Sequence, residues 1–145
     1  MSLQWTGKLR GSFTAPASAR WCPADSLLEV IASRADTSAG LAIIARDTLR
    51  AEVYGVNETQ NYTPGRPQAS VSLRMLGDMA LLGYDGMGGQ VTVSHADGRI
   101  VSGSLDVKLR PVSGGDTLQL RGSFSQVPVT RATGVCGRAN KPAAG

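Results

Sequence analysis

The chain has 145 residues, 41% of them apolar, and a formal charge of +4; a single domain of this length buries about 68–70% of its unfolded surface and needs no metal to hold it together. Aromatic residues make up only 5%, against 18 glycines and 7 prolines, a balance that favours short strands and tight turns over a bundle of long helices. The longest apolar stretch, residues 40–45, is far too short for a membrane-spanning helix, and no signal peptide is visible.

In chain order, residues 4–14 read as the first strand, with Trp5, Gly7, Leu9, Gly11 and Phe13 on one face and Lys8 and Arg10 on the other. Residues 16–25 read as irregular, with Trp21 covering a bridge made by Cys22. Residues 26–33 read as a strand on the strength of Val30 and Ile31, although Leu27-Leu28 and Val30-Ile31 also fit a short amphipathic helix. A turn over 36–40 leads to strands at 41–46 and 51–56. Residues 57–68, with Tyr62 as their one large apolar side chain and two prolines, form the longest loop.

Residues 69–75 alternate Ala69, Val71, Leu73 and Met75 against Ser70, Ser72 and Arg74, the pattern of a half-buried strand. Strands at 79–84 and 90–95 follow around a glycine-rich turn at 85–89. Asp97-Gly98 marks a hairpin into a strand over 99–110, and Ser113-Gly114-Gly115-Asp116 turns the chain into the last strand, 117–126. Eight or nine strands with short connections predict one all-β domain over residues 1–138, an antiparallel sandwich or a closed barrel, with a disordered tail over 139–145.

Leu-Arg-Gly-Ser-Phe occurs twice, at residues 9–13 and 120–124, and each copy is followed by one of the only two cysteines. That pairing predicts adjacent terminal strands, with the copies as neighbours, and a Cys22–Cys136 disulfide. Such a bridge persists in an oxidising compartment and points to an extracytoplasmic protein: periplasmic, secreted or lipid-anchored. Met1-Ser2-Leu3 then reads as a replacement start on a chain whose export signal was removed. Arginine outnumbers lysine twelve to three, a bias that suits a GC-rich bacterial genome.

Lys8, Arg10 and Arg20 near the start, and Arg131, Arg138 and Lys141 near the end, lie in stretches without acids. If the ends meet, these six cations share a region suited to an anionic surface, although no consecutive basic run marks a specific nucleic-acid site. The single histidine, His95, leaves zinc short of ligands, and no cofactor motif is present. The glycine cluster at 83–89 leads into a strand and carries no lysine, unlike a phosphate loop.

Catalysis has weak support. His95 lacks a nucleophile elbow, and of the carboxylates available for hydrolysis, Asp78, Asp85, Asp97, Asp106 and Asp116, the last three suit turns or an outward strand face. The long loop is the better candidate for binding: Asn57, Asn61, Tyr62 and Arg66 offer amide, phenol and guanidinium groups to a small molecule, a sugar or an anion. The leading expectation is an exported bacterial β-domain that binds or supports and does not catalyse. A second is a small-ligand carrier with an apolar barrel cavity lined by Val71, Leu73, Val91 and Val93. A third is a hydrolase using carboxylates or His95. The Leu-x-Gly-x-Phe pattern resembles repeated strands of small barrels such as lipocalins and avidins, but Trp5-Thr6-Gly7 stands where a lipocalin opens with Gly-x-Trp, and the likeness assigns no family.

Overall fold

The structure, a computed structural model, describes residues 1–58, 66–134 and 136. These residues form ten strands: β1 (Ser2–Gly7), β2 (Gly11–Thr14), β3 (Ala17–Cys22), β4 (Leu27–Arg34), β5 (Thr37–Ile44), β6 (Val53–Gly55), β7 (Gln68–Leu76), β8 (Leu81–Ala96), β9 (Ile100–Pro111) and β10 (Leu118–Arg131). Seven of them close a barrel in the order β10-β3-β4-β5-β7-β8-β9 and back to β10. Its strand pairs are antiparallel except that of β3 with β10, which sets Ala19 beside Val129 and Trp21 beside Arg131. The tail over 139–145 and the loop residues Asn61 and Tyr62 lie outside the described residues.

The expected turn over 36–40 is strand from Thr37, and the last strand runs past 126 to Arg131; three larger differences separate the ten strands from the sequence expectation. The single strand expected over 4–14 is the β1/β2 hairpin, with Trp5 opposite Gly11 and Leu3 opposite Phe13. Trp5 and Phe13 are eight positions apart, so both point inward whether the chain runs straight or folds back after an odd-numbered turn; alternation cannot separate the two. Leu9, at the turn, is left in solvent. The stretch expected to be irregular contains β3, whose inward positions are mostly alanines and so carry a faint apolar signal.

The two strands and turn expected over 79–95 are one long strand, β8. Its glycines serve a register shift between Gly86 and Gly88 and a close approach: Gly89 has φ +102, and a methyl there would overlap the backbone of Asp106. Below the shift β8 pairs with β7, and above it with β6. Val56 continues from β6 against Gly86, where a Cβ would lie 2.7 Å from the valine.

The terminal strands are adjacent, with Ser2 through Gly7 running antiparallel to Ser123 through Leu118. The two pentapeptide copies are not neighbours, because β1 lies between them. Closure comes instead from β10, whose second half turns to β3 past an irregularity between Phe124 and Val127. Leu3, in the stretch read as a replacement start, is a core residue.

The barrel interior is filled by one apolar core that includes Tyr54, Phe124, Leu28, Ile43 and Leu109. Val71, Leu73, Val91 and Val93, the positions expected to line a ligand cavity, are buried members of it. The outward positions of β9 are Ser102, Ser104, Asp106, Lys108 and Arg110, polar side chains where a membrane-spanning barrel presents an apolar band. Among the described residues no helix is long and apolar enough to cross a membrane.

Cys22 and Cys136 form the expected disulfide, their Cα atoms 5.9 Å apart. The Cys136 N–H donates to the Asp25 carboxylate at 2.9 Å, which ties the end of β10 to the 3-10 turn Pro23–Asp25. Trp21 and Cys22 are consecutive strand residues and face opposite sides, and the indole lines the barrel mouth. Of the described cations of the chain ends, Arg20 and Arg131 lie one register step apart on paired strands, and Lys8 is engaged elsewhere. Lys8 reaches Asp116 at one end of the barrel, while Arg20 pairs with Glu29 on the outer wall; Arg138 and Lys141 are outside the described residues.

Candidate functional site

Small side chains open a groove on the outer face of the barrel. Strand register lines up two rows across β4, β5 and β7. Glu29, Ala42 and Ser70 form one row; Ile31, Gly40 and Ser72 form the next, which continues to Asp85 on β8. Outward residues in register stand side by side, so the four smallest, Gly40, Ala42, Ser70 and Ser72, sink the middle of the face. Glu29 and Ile31 stand along one side and Asp85 along the other.

The groove holds about 210 Å³ here and continues over Ala42 and Ser70 into a recess of about 270 Å³ lined by Ile44, Asn57, Glu58 and Gln68. Ile31 is 53% exposed, a large aliphatic group left in water beside polar neighbours.

The rims are held by ion pairs. Arg20 donates to Glu29 through Nε at 3.1 Å, Arg74 reaches Asp85 at 3.1 Å, and Arg110 reaches Glu58 at 3.2 Å. Arg74 also donates to the Tyr84 carbonyl at 2.9 Å, which fixes the guanidinium before it meets the carboxylate. At the end of the groove Asn57 Nδ2 donates to Gln68 Oε1 at 3.1 Å, and Gln68 is only 4% exposed. Burying that amide is tolerable because it is hydrogen-bonded. The result is a set of oriented acceptors and donors with an aliphatic wall.

Of the four loop residues nominated from the sequence, Asn57 lines the groove and Arg66 is exposed and lines none of the clefts described above. The sequence does not nominate Glu29, Ile31, Ser70 or Ser72 for a site, and offers Asp85 only as one of several carboxylates for hydrolysis. The outward alternation of Ser70 and Ser72 was readable, but their meeting with β4 and β8 depends on strand order.

Alternation along the sequence alone sets His95 on the face of Val91 and Val93. A register shift between Val93 and His95 reverses the parity and puts the ring in solvent, with Nε2 3.2 Å from Asp97 Oδ2. Asp97 has the expected turn role: Oδ1 accepts the N–H groups of Arg99 and Ile100 at 2.9 and 3.0 Å. Those bonds, Ile100 first, then Arg99 and the His95 contact, pull its carboxyl down to about 2. Asp106 faces outward as expected and pairs with Arg121. Among the described residues no group of three or more His, Cys, Asp or Glu side chains is disposed to hold a metal ion.

No family model matches the chain, and no curated protein or solved structure matches it either. The functional reading therefore rests on the geometry of the barrel.

Proposed function

We propose that this protein is an exported bacterial β-domain that binds without catalysing, and that its ligand is a glycan or similarly hydroxyl-rich chain lying in the groove over β5 and β7. One observation carries the reading: the outer face sinks at Gly40, Ala42, Ser70 and Ser72 between oriented carboxylates, amides and the exposed Ile31. A sugar ring offers hydroxyls that donate to carboxylates and accept from amides, and C–H faces that cover an aliphatic side chain. Each rim carboxylate is already engaged by an arginine, so the acceptors are set before the ligand arrives, which lowers the ordering cost of binding. Export is supported by the Cys22–Cys136 bridge, since such bridges persist in oxidising compartments; a periplasmic, secreted or lipid-anchored form fits equally.

The test is titration of the protein against a panel of bacterial oligosaccharides and polysaccharides, repeated with Ala42→Tyr. The new ring fills the groove from an outward position and leaves the core untouched. Binding by the original chain that disappears in A42Y, at an unchanged urea midpoint, is the expected result. A panel in which nothing binds, or binding that survives A42Y, overturns the proposal. Fractionation of the native host, probing the extracytoplasmic fraction for the protein, tests the location separately.

A further inference from the structure

A second cleft lies at the barrel mouth on the disulfide end, away from the groove. Its origin is strand parity. On β10 the inward series passes from buried Val127 to Val129 and then Arg131; on β3 it passes from buried Ala19 to Trp21. The parallel register sets Trp21 beside Arg131, so the last inward position of each strand falls where the packed interior stops. Leu49 and Thr48 approach from the connection between β5 and β6, and Ala96 and Ile100 from the hairpin between β8 and β9.

Together these residues line a recess of about 250 Å³. Trp21, Leu49, Ala96 and Val129 are half-buried and rest on the core. Their far sides are the apolar floor.

The recess is built on hydrogen-bonded backbone. The Ala132 N–H donates to the Trp21 carbonyl and the Val129 N–H to the Arg99 carbonyl, both at 2.8 Å, while the Thr130 hydroxyl donates to the Ala19 carbonyl. Two charged side chains line it, Asp97 and Arg131. Asp97 is occupied by two backbone N–H groups and by His95. Arg131 makes no ion pair among the described residues, so its guanidinium is the group left to receive an anion.

We propose that this mouth binds a small amphipathic anion, with an apolar or aromatic body against Trp21, Leu49 and Val129 and a carboxylate on Arg131. A guanidinium and a carboxylate make paired, charge-assisted hydrogen bonds, and an aromatic wall with an apolar floor and few polar groups is the usual form of a small-ligand site. The volume is below the roughly 300–1,000 Å³ of drug-sized sites, which limits the occupant to a short chain or a single ring system. The barrel carries its ligand at the rim of a filled interior, with no need for a central cavity.

The probe is 4-phenylbutyrate, set against its uncharged counterpart 4-phenylbutan-1-ol, with affinity measured by calorimetry and by tryptophan emission. Trp5 is buried under the β1/β2 hairpin and Trp21 lines the mouth, so a ligand here changes the emission of Trp21. Phenylbutyrate is expected to bind, and to lose about tenfold or more in affinity both in Arg131→Gln and when the carboxylate is replaced by the alcohol. Arg131 is exposed, so R131Q leaves folding intact, and far-UV dichroism checks this. A42Y, which blocks the groove, is expected to leave phenylbutyrate binding unchanged, which separates this site from the glycan proposal. Absence of binding at millimolar probe, an affinity unchanged by R131Q, or equal affinity for the acid and the alcohol overturns the inference.

Discussion

Gly11 and Gly122 hold the same position in the two pentapeptides, and each gives up its Cβ space to β1. A methyl at Gly11 would overlap the Trp5 ring, and one at Gly122 would overlap the Ser2 carbonyl and lie 2.6 Å from Leu3 Cδ2. Gly122→Ala is therefore expected to cost about 1–3 kcal/mol, the usual penalty of overpacking, because the obstacle includes backbone that cannot rotate away. Gly55→Ala, with nothing within 4 Å of the added carbon, is expected to stay within about 0.5 kcal/mol; urea denaturation of the pair measures both. Asp97 supplies a second test at this scale. Its carboxyl is pulled from 3.8 to about 2 in the fold, so the unfolded chain takes up a proton first as pH falls. The stability it contributes is present above about pH 4 and is lost as pH drops towards 2. The difference in unfolding free energy between the original chain and Asp97→Asn is expected to shrink across that interval, and a difference independent of pH refutes the assignment.

Strand β8 shows what alternation can and cannot reveal. Glycines at 83, 86, 88 and 89 read locally as a turn, yet the chain continues as one strand, because the glycines allow a register shift and a backbone contact with β9 that no side chain would permit. The shift lets β8 leave β7 and take up β6. Tyr54 on β6 then points into the core, its hydroxyl donating to the Arg50 carbonyl at 3.3 Å. Burial pushes this phenol up from 10.0 to about 12. Because the folded state disfavours the phenolate, Tyr54 supports folding fully below pH 10, and that support is lost as pH rises from 10 towards 12. The expected observation is an alkaline fall in the urea midpoint over this interval that is smaller in Tyr54→Phe, where nothing ionises.

At the scale of the molecule, the disulfide spans 114 residues and so removes a large loop-closure entropy from the unfolded chain. In the chain-entropy description this amounts to about 4–5 kcal/mol, a large part of the 5–15 kcal/mol that ordinarily holds a domain together. Replacing both cysteines with serine is expected to lower the unfolding free energy by an amount approaching that figure. Intact mass after alkylation is expected to show no accessible thiol until reductant is added; two thiols alkylated in the folded, unreduced protein would remove the bridge and the main support for export. The polar exterior and packed interior also locate both proposed sites. With the inward positions packed, the two proposed sites lie on a sunken outer face and at the mouth.

The sequence by itself determined the class of fold, the inward set of most strands, the disulfide and the turn role of Asp97. Each of these depends on local alternation, glycine placement or cysteine count. Closure into a barrel, the division of residues 4–14 into a hairpin, the fusion of β8 and both candidate sites were decided only by the tertiary structure. The physical reason is common to all of them: a period of two records which face a residue takes and is silent about which strand lies beside it. Glu29, Ser70 and Asp85 share a groove, and Trp21 stands beside Arg131, through strand order and register alone.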